Sequence, residues 1–359
     1  MRGATPTLSR EAPAASHSVA ILGATGLVGR TALQVLEERR FPISRLKLLA
    51  SDRAASERTI SFRGGAHPVE PVSAESFANV DVALFTCANQ VSQTWADTAR
   101  AAGARVVDNS SAFRYVDGVP LVVPEINADQ LSARSTLVAN PNCSTIAIVL
   151  ALAPLLRAAG LERVQVATYQ SASGGGSETL EDLESGVRAG LEGDPPRRRD
   201  GSPALAFNVV PRIDRFEDNG YTREEMKIVW ESRKILGVPD LAIAATAVRV
   251  PVRVGHGAAV SVWLERPLEP ADARALWASS PGIEVVDDPL HDRYPTPLDV
   301  AGRDAALVGR VRRDLTHPRG LMFFVVSDNL RKGAATNAVQ IAEHLAAWSA
   351  AEARDAGRS

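Results

Sequence analysis

Three glycines, each separated by two residues, stand between a short apolar run and a helical stretch: Gly23, Gly26 and Gly29. Val19-Ala20-Ile21-Leu22 reads as a buried strand and Gly29 to Arg40 as a helix, so Gly23-Ala24-Thr25-Gly26-Leu27-Val28-Gly29 is a strand-to-helix turn. A pyrophosphate reaches main-chain N–H groups and the positive end of a helix only where no side chain holds the backbone away. Tight packing alone could also explain the glycines. A strand before them and a helix after them favour dinucleotide binding. The spacing, Gly-x-x-Gly-x-x-Gly, is a variant found in NADP-using dehydrogenases.

The alternation continues. Leu46 to Ala50 and Val80 to Thr86 read as strands, Ala96 to Ala102 as a helix, and Arg105-Val106-Val107-Asp108 as a further strand. Strands separated by helices predict a parallel sheet covered on both faces. After the second strand of such a sheet, an acidic side chain binds a ribose hydroxyl and an arginine binds a 2′-phosphate. Here the strand runs into Ala50-Ser51-Asp52-Arg53. Arg53 points to NADP and Asp52 against it, which leaves the choice open on the residues alone.

A chain of 359 residues has room for two domains. Beyond Pro141, Val164 to Gln170, Ala244 to Val254, Ala258 to Leu264 and Met322 to Ser327 read as strands separated by loops rich in Gly and Pro. They predict a second, mostly antiparallel sheet. A last helix, about Lys332 to Ala350, carries Ala334, Ala338, Ile341, Ala342 and Leu345 on one side, and the pattern leaves open which domain it joins.

Forty Lys and Arg against forty-two Asp and Glu argue against a basic nucleic-acid face. Arg197-Arg198-Arg199, framed by prolines and glycine, reads as a solvated loop. The apolar run Ile146 to Leu156, interrupted by Pro154, is too short to span a bilayer. Met1 to Ser16 lacks the apolar block of a secretion signal and reads as a disordered tail. Two cysteines, Cys87 and Cys143, make no disulfide framework, so a reducing compartment, the cytoplasm, is expected.

Cys143 lies in Asn140-Pro141-Asn142-Cys143-Ser144-Thr145. Pro141 disfavours helix for Asn140, and Asn142 or Ser144 can cap the apolar helix that follows. In the first turn of a helix a thiol is expected to ionise below its free value of about 8.5, helped by free N–H groups and the helix dipole. A structural cysteine would have apolar neighbours, and these are Asn, Pro, Ser and Thr. A proton partner comes from His17, His67, His256, His291, His317 or His344. His256, between Gly255 and Gly257, is the best placed and is expected to be an accessible loop imidazole; a plain turn histidine is its rival. Cysteine and histidine together suffice for covalent catalysis through a thioester. No metal is expected.

Further motifs follow in order: Ser110 to Arg114, Tyr169 to Gly176, Asn208 to Pro211, Gly220 to Lys227, Arg249 to His256 and Ser327 to Ala335. With the Gly23 turn and the Cys143 segment, they make the chain from Val19 to about Ala347 resemble the aspartate-β-semialdehyde dehydrogenase family. The resemblance implies an α/β protein with a Rossmann-type dinucleotide-binding domain on a parallel sheet. It also implies an α+β catalytic and dimerisation domain on a mostly antiparallel sheet. Residues 17–141 with 329–359 would form the first, through a returning last helix, and 142–328 the second, which forms homodimers.

The implied reaction is the NADPH-dependent conversion of L-aspartate 4-phosphate to L-aspartate 4-semialdehyde and phosphate. It would serve biosynthesis of lysine, methionine, threonine and isoleucine. By resemblance Cys143 is the nucleophile, His256 the acid/base, and Gln170 orients substrate. Arg249 grips the α-carboxylate and Glu224 the amino group; Arg114 and Lys227 hold phosphate, and Asn142 lies in the substrate site. NADP would contact Gly23, Thr25, Gly26, Leu27, Val28, Gly29, Arg53, Ser173, Gly174 and Asn329.

The chain departs from the family's pattern in three places. Ala54 follows Arg53 where a serine is common, Thr86-Cys87-Ala88-Asn89 replaces a stretch of small residues and glycine, and Arg212 stands where Gln is frequent. Two alternatives share the architecture: an N-acetyl-γ-glutamyl-phosphate reductase and a non-catalytic dinucleotide-binding protein. Glu224, suited to a free ammonium, speaks against the first, and the retention of Cys143, Gln170, Arg249 and His256 against the second.

Overall fold

The computed structural model describes residues 16–55, 58–196 and 201–356; residues 1–15 of the expected tail and the Arg197-Arg198-Arg199 loop lie outside the described residues. The first sheet contains β1 (His17–Leu22), β2 (Ile43–Ala50), β3 (Thr59–Phe62), β4 (Gly65–Pro71), β5 (Val82–Phe85), β6 (Arg105–Asp108) and β7 (Leu137–Ala139). Its order is β3-β4-β2-β1-β5-β6-β7. All neighbours pair in parallel except the β3–β4 hairpin.

β1 is buried along its whole length. Val19 and Ile21 share a core with Leu33 and Leu36 of helix Leu27–Glu38 and with Ile341 and Leu345 of helix Thr336–Ala356. Ala20 and Leu22 share another with Ala96 and Ala99 of helix Asn89–Ala101. A strand covered on both faces has no solvent side, which is why it is apolar without alternation. Burying a Leu or Ile contributes about 1.5–3 kcal/mol. Ile341 and Leu345, both fully buried here, therefore hold the terminal helix on the first sheet.

The second sheet contains β8 (Arg163–Gln170), β9 (Ala242–Arg249), β10 (His256–Trp263), β11 (Ile283–Val285), β12 (Ala306–Arg313) and β13 (Gly320–Ser327), in the order β11-β12-β13-β10-β8-β9. The inner pairings are antiparallel and the two outer ones, β11 with β12 and β8 with β9, are parallel. The sheet is thus mixed. β9 stops at Arg249, short of the expected Val254. Pro251 has no N–H to continue a ladder, and the Val252 N–H turns back to the Val250 carbonyl.

Helix Cys143–Ala159 lies in the core of this domain. Ile146, Val149 and Leu150 cluster with Val164 of β8, Val260 of β10 and Phe323 of β13. A helix apolar on every side belongs in such a place. It runs through Pro154 instead of breaking there, and Trp277 donates its ring N–H to the Ala151 carbonyl at 2.9 Å.

A π-helical turn, Arg331–Ala335, leads from β13 into the terminal helix. Its Lys332 is 1 % exposed, and Nζ donates to both carboxylate oxygens of Glu125 at 2.8 Å, to Asn337 and to Gln340. The strand directions of the second sheet then gather the functional ends. β8 and β9, being parallel, end together at the paired Gln170 and Arg249. β10 begins there with His256, which pairs with the last residue of β13, Ser327.

Candidate active site

The glycine turn has the shape a dinucleotide needs. Gly23 has φ +92°, and a Cβ there would lie 2.8 Å from the Thr86 carbonyl oxygen; a Cβ on Gly29 would collide with the Gly23 carbonyl. Gly26 caps helix Leu27–Glu38 without any side-chain bond, and no acidic residue occupies the first turn. Thr25, Leu27 and Val28 flank this bare positive end, half-buried. An anionic pyrophosphate fits it. Asp52 and Arg53 are both exposed in the short helix Asp52–Ala55 that follows β2.

Cys143 is the first residue of its helix, as expected, and Asn142 is the N-cap. Asn142 Oδ1 accepts from the backbone N–H groups of Ser144 at 3.0 Å and Thr145 at 3.3 Å. Those donors are therefore spent on the cap and do not serve the sulfur. Burial pushes the Cys143 thiol up to about 11, Glu224 adds to the rise, and Arg249, Arg114 and Lys227 pull the other way. The expectation of a low-pKa resting thiolate is corrected: burial and a nearby carboxylate outweigh the helix end.

His256 is corrected as well. It is 2 % exposed and begins a strand instead of sitting in an open loop. Its glycine neighbours serve close packing. Gly255 has φ +97°, with Pro297 about where a Cβ would go, and a Cβ on Gly257 would lie 2.6 Å from the Phe324 ring. Nδ1 accepts the Ser171 backbone N–H at 3.0 Å, while Nε2 is buried without a hydrogen-bond partner among the described residues. Burial first, then Arg249, lowers the imidazole pKa to about 3, with Glu224 opposing. The ring is neutral at ordinary pH.

Between these residues lies a cavity of about 370 Å³ lined by Arg114, Asn142, Cys143, Gln170, Gly174, Glu224, Lys227 and Arg249, together with Asn89, Ser111, Ile213 and Asp214. Glu224 is its anionic centre. Oε1 accepts from Asn142 Nδ2 at 2.9 Å and Gln170 Nε2 at 3.0 Å, and Oε2 accepts from Lys227 Nζ at 3.0 Å. Burial would raise this carboxyl, but Lys227, Gln170 and Asn142 bring it down to about 2. Lys227 also bonds Asp214 at 2.9 Å, and the two carboxylates outweigh burial to keep it protonated.

Arg114 is buried, its fork engaged by the Asn140 carbonyl at 2.9 Å, Glu231 at 3.0 Å and the Asn109 carbonyl at 2.8 Å. Arg249 Nη1 donates to the Ser171 carbonyl at 2.8 Å.

All eight residues expected around catalysis and substrate thus meet at one end of the second sheet, His256 lying beside Gly174 at the cavity's edge. Ser173 is buried and Gly174 faces the cavity; Asn329 is buried and bonds Ser171, Ser173 and Gly255. The glycine turn and Arg53 lie on the other sheet, at the ends of β1 and β2. Glu231 escaped the sequence reading. It accepts from Arg114, from Tyr115 at 3.0 Å and from the Asn142 backbone N–H at 2.6 Å. The signal was present: Glu224, Lys227 and Glu231 repeat at i, i+3 and i+7 on helix Arg223–Leu236 and share one face. Among the described residues no cluster of His, Cys, Asp and Glu could hold a metal, and no helix is long and apolar enough to cross a membrane.

Two family profiles match the chain: the semialdehyde dehydrogenase NAD binding domain over residues 18–134 and the semialdehyde dehydrogenase dimerisation domain over residues 152–332. The aspartate-semialdehyde dehydrogenase of Legionella pneumophila is 50% identical over 331 residues, 91% of this chain and 95% of that protein. The crystal structure of aspartate semialdehyde dehydrogenase II from Vibrio cholerae complexed with ASA superposes with a TM-score of 0.89 at 44% identity, covering 92% of this chain and 98% of that one. The enzyme of Candida albicans with NADP superposes with a TM-score of 0.72 at 25% identity, covering 94% and 100%. The chain belongs to the aspartate-semialdehyde dehydrogenase family.

Proposed function

We propose that this chain, as a cytoplasmic homodimer joined through its second domain, reduces L-aspartate 4-phosphate to L-aspartate 4-semialdehyde with NADPH, and runs the reverse. The reaction would feed biosynthesis of lysine, methionine, threonine and isoleucine. The observation that carries the reading is the single cavity in which Cys143 meets two ionised carboxylates, Glu224 and Asp214, and three cations, Arg114, Lys227 and Arg249. The domain division follows the same logic: 17–141 with 329–359 for the dinucleotide, 142–328 for substrate and the partner subunit.

Cys143 attacks the acyl carbon, phosphate departs, and a thioester remains. Arg114 and Lys227 receive the phosphate, each with N–H groups left after its protein bonds. Arg249 suits the α-carboxylate, because a planar fork matches it. Glu224 suits the α-ammonium: a carboxylate offers about four lone-pair positions, and three are taken by Asn142, Gln170 and Lys227. An acetylated amine would bring no charge to that site, which disfavours the γ-glutamyl analogue. Gln170, fixed by Thr168 at 3.0 Å, orients the acyl group.

Gly23, Thr25, Gly26, Leu27, Val28 and Gly29, with Arg53, Ser173, Gly174 and Asn329, would hold NADPH, which would supply the hydride. His256 serves the tetrahedral species. The test is a spectrophotometric assay with semialdehyde, phosphate and NADP⁺, repeated with NAD⁺ and with the N-acetyl-γ-glutamyl semialdehyde. Turnover only with the acetylated substrate overturns the substrate assignment.

A further inference from the structure

Arg114 sits in a stretch, residues 110–118, that is neither helix nor strand, so no hydrogen-bond ladder fixes it. Helix Arg223–Leu236 fixes it instead, from two side chains one turn apart. Lys234 Nζ donates to the carbonyl of Arg114 at 2.8 Å, and Glu231 Oε1 accepts from Nη1 of its guanidinium at 3.0 Å. The Asn140 and Asn109 carbonyls take Nε at 2.9 Å and Nη2 at 2.8 Å. A guanidinium has five N–H donors, so each terminal nitrogen keeps one for the cavity that Arg114 lines.

The second oxygen of Glu231 does a different job. Oε2 accepts the backbone N–H of Asn142 at 2.6 Å, while Oε1 also takes the Tyr115 hydroxyl at 3.0 Å. Asn142 caps the helix that begins with Cys143. One wholly buried carboxylate thus holds the guanidinium with one oxygen and the peptide beside the sulfur with the other. Glu231 is not among the residues that line the cavity, so it reaches a substrate only through these neighbours.

We infer that Glu231 is a positioning residue that sets the Arg114 fork at the right distance from the Cys143 sulfur, and so governs phosphate exchange and not hydride transfer. This rests on the acyl-phosphate reading above. An acyl phosphate carries its carbon and its phosphoryl oxygens at a fixed separation, and the sulfur must meet the first while the fork holds the second. Loss of Glu231 would fall mainly on the fork. Asn142 keeps its bonds to Ser144, Thr145 and Glu224, whereas Arg114 loses its one ion pair among the described residues. Shape counts as well as charge. A glutamine offers one acceptor oxygen where three donors converge, and an aspartate, one methylene shorter, cannot span both partners.

The test separates two half-reactions of the full-length enzyme, run from the semialdehyde. Without phosphate, the sulfur adds to the aldehyde, a hydride passes to NADP⁺ and a proton to solvent, and the thioester remains, seen as a burst of NADPH absorbance. Added phosphate then displaces the sulfur, which takes up the proton that the phosphate gives off. In Glu231→Gln and Glu231→Asp the burst should keep its amplitude and, within about threefold, its rate. The phosphate KM should rise about 10–100-fold in both, with the semialdehyde KM within about threefold. A burst slowed as much as the phosphate step overturns the assignment, because the carboxylate would then only support the fold. An unchanged or lowered phosphate KM in either variant overturns it too, since geometry would not matter. Should neither variant fold, Tyr115→Phe decides, as it takes a donor from the same oxygen. Its phosphate KM should rise at least about threefold, and an unchanged value overturns the assignment. Failure of the acyl-phosphate reading would show separately, as no burst in the native enzyme or a full burst in Cys143→Ala.

Discussion

Gly174 lies flat against His256: a Cβ added to it would stand 2.8 Å from Nε2 and 2.9 Å from Nη1 of Arg249. Any side chain there pushes the imidazole and the guanidinium apart at the edge of the cavity. A misplacement of about 1 Å costs on the order of 10² in rate. Gly174→Ala is expected to lose about that much kcat/KM, with the melting temperature within a few degrees of the native value. Undiminished turnover would mean that the imidazole position is unimportant.

The resting sulfur is a thiol, since burial and Glu224 hold its pKa at about 11. Alkylation of the free enzyme by iodoacetamide should therefore keep accelerating as pH rises past 8.5 to 10. Glu224→Gln removes one cause of the rise and should move that profile to lower pH. A rate that levels off between pH 6 and 8 would show a resting thiolate after all.

His256 couples to stability with a definite sign. In the folded protein it stays unprotonated until pH falls to about 3, whereas an imidazole in the unfolded chain takes a proton below about 6.5. Between these values the unfolded state binds more protons. Stability then falls as pH is lowered, by at most about 1.4 kcal/mol per pH unit. Urea unfolding at pH 7 and pH 5 should show the native protein losing more than His256→Gln. Equal losses would mean that folding does not shift this imidazole.

Arg249 holds the Ser171 carbonyl while lining the substrate cavity. A lysine has no planar fork with which to hold that carbonyl and pair with a carboxylate. Arg249→Lys is expected to lower kcat/KM about 10–100-fold, mostly through KM. An unchanged ratio for the semialdehyde would remove Arg249 from carboxylate recognition.

The parts of this molecule legible in the sequence are those where one physical demand dominates. β1 and the Gly23 turn were readable because a strand with no solvent side must be apolar and a phosphate turn must be bare. The β3–β4 hairpin was not readable. β3 alternates but is only four residues long, Pro68 and Pro71 interrupt β4, and most of β4 is exposed. The sequence places Cys143 at its helix end but does not reveal its ionisation. That depends on where the Asn142 side chain spends its oxygen and on Glu224, distant in sequence. The glycines around His256 suggest exposure when read locally. Only the Phe324 ring and Pro297 reveal that they make room for burial.

Lys332 and Glu125 anchor the chain returning from β13 to the first domain by a charge pair that water does not reach readily. Parting it would strand an ammonium in a medium that solvates it poorly, which costs several kcal/mol. The next residue, Gly333, rests on Cys143, where a Cβ would lie 3.2 Å from the cysteine Cβ. Anything that shifts the buried turn carrying Lys332 is therefore expected to reach the catalytic cysteine through Gly333.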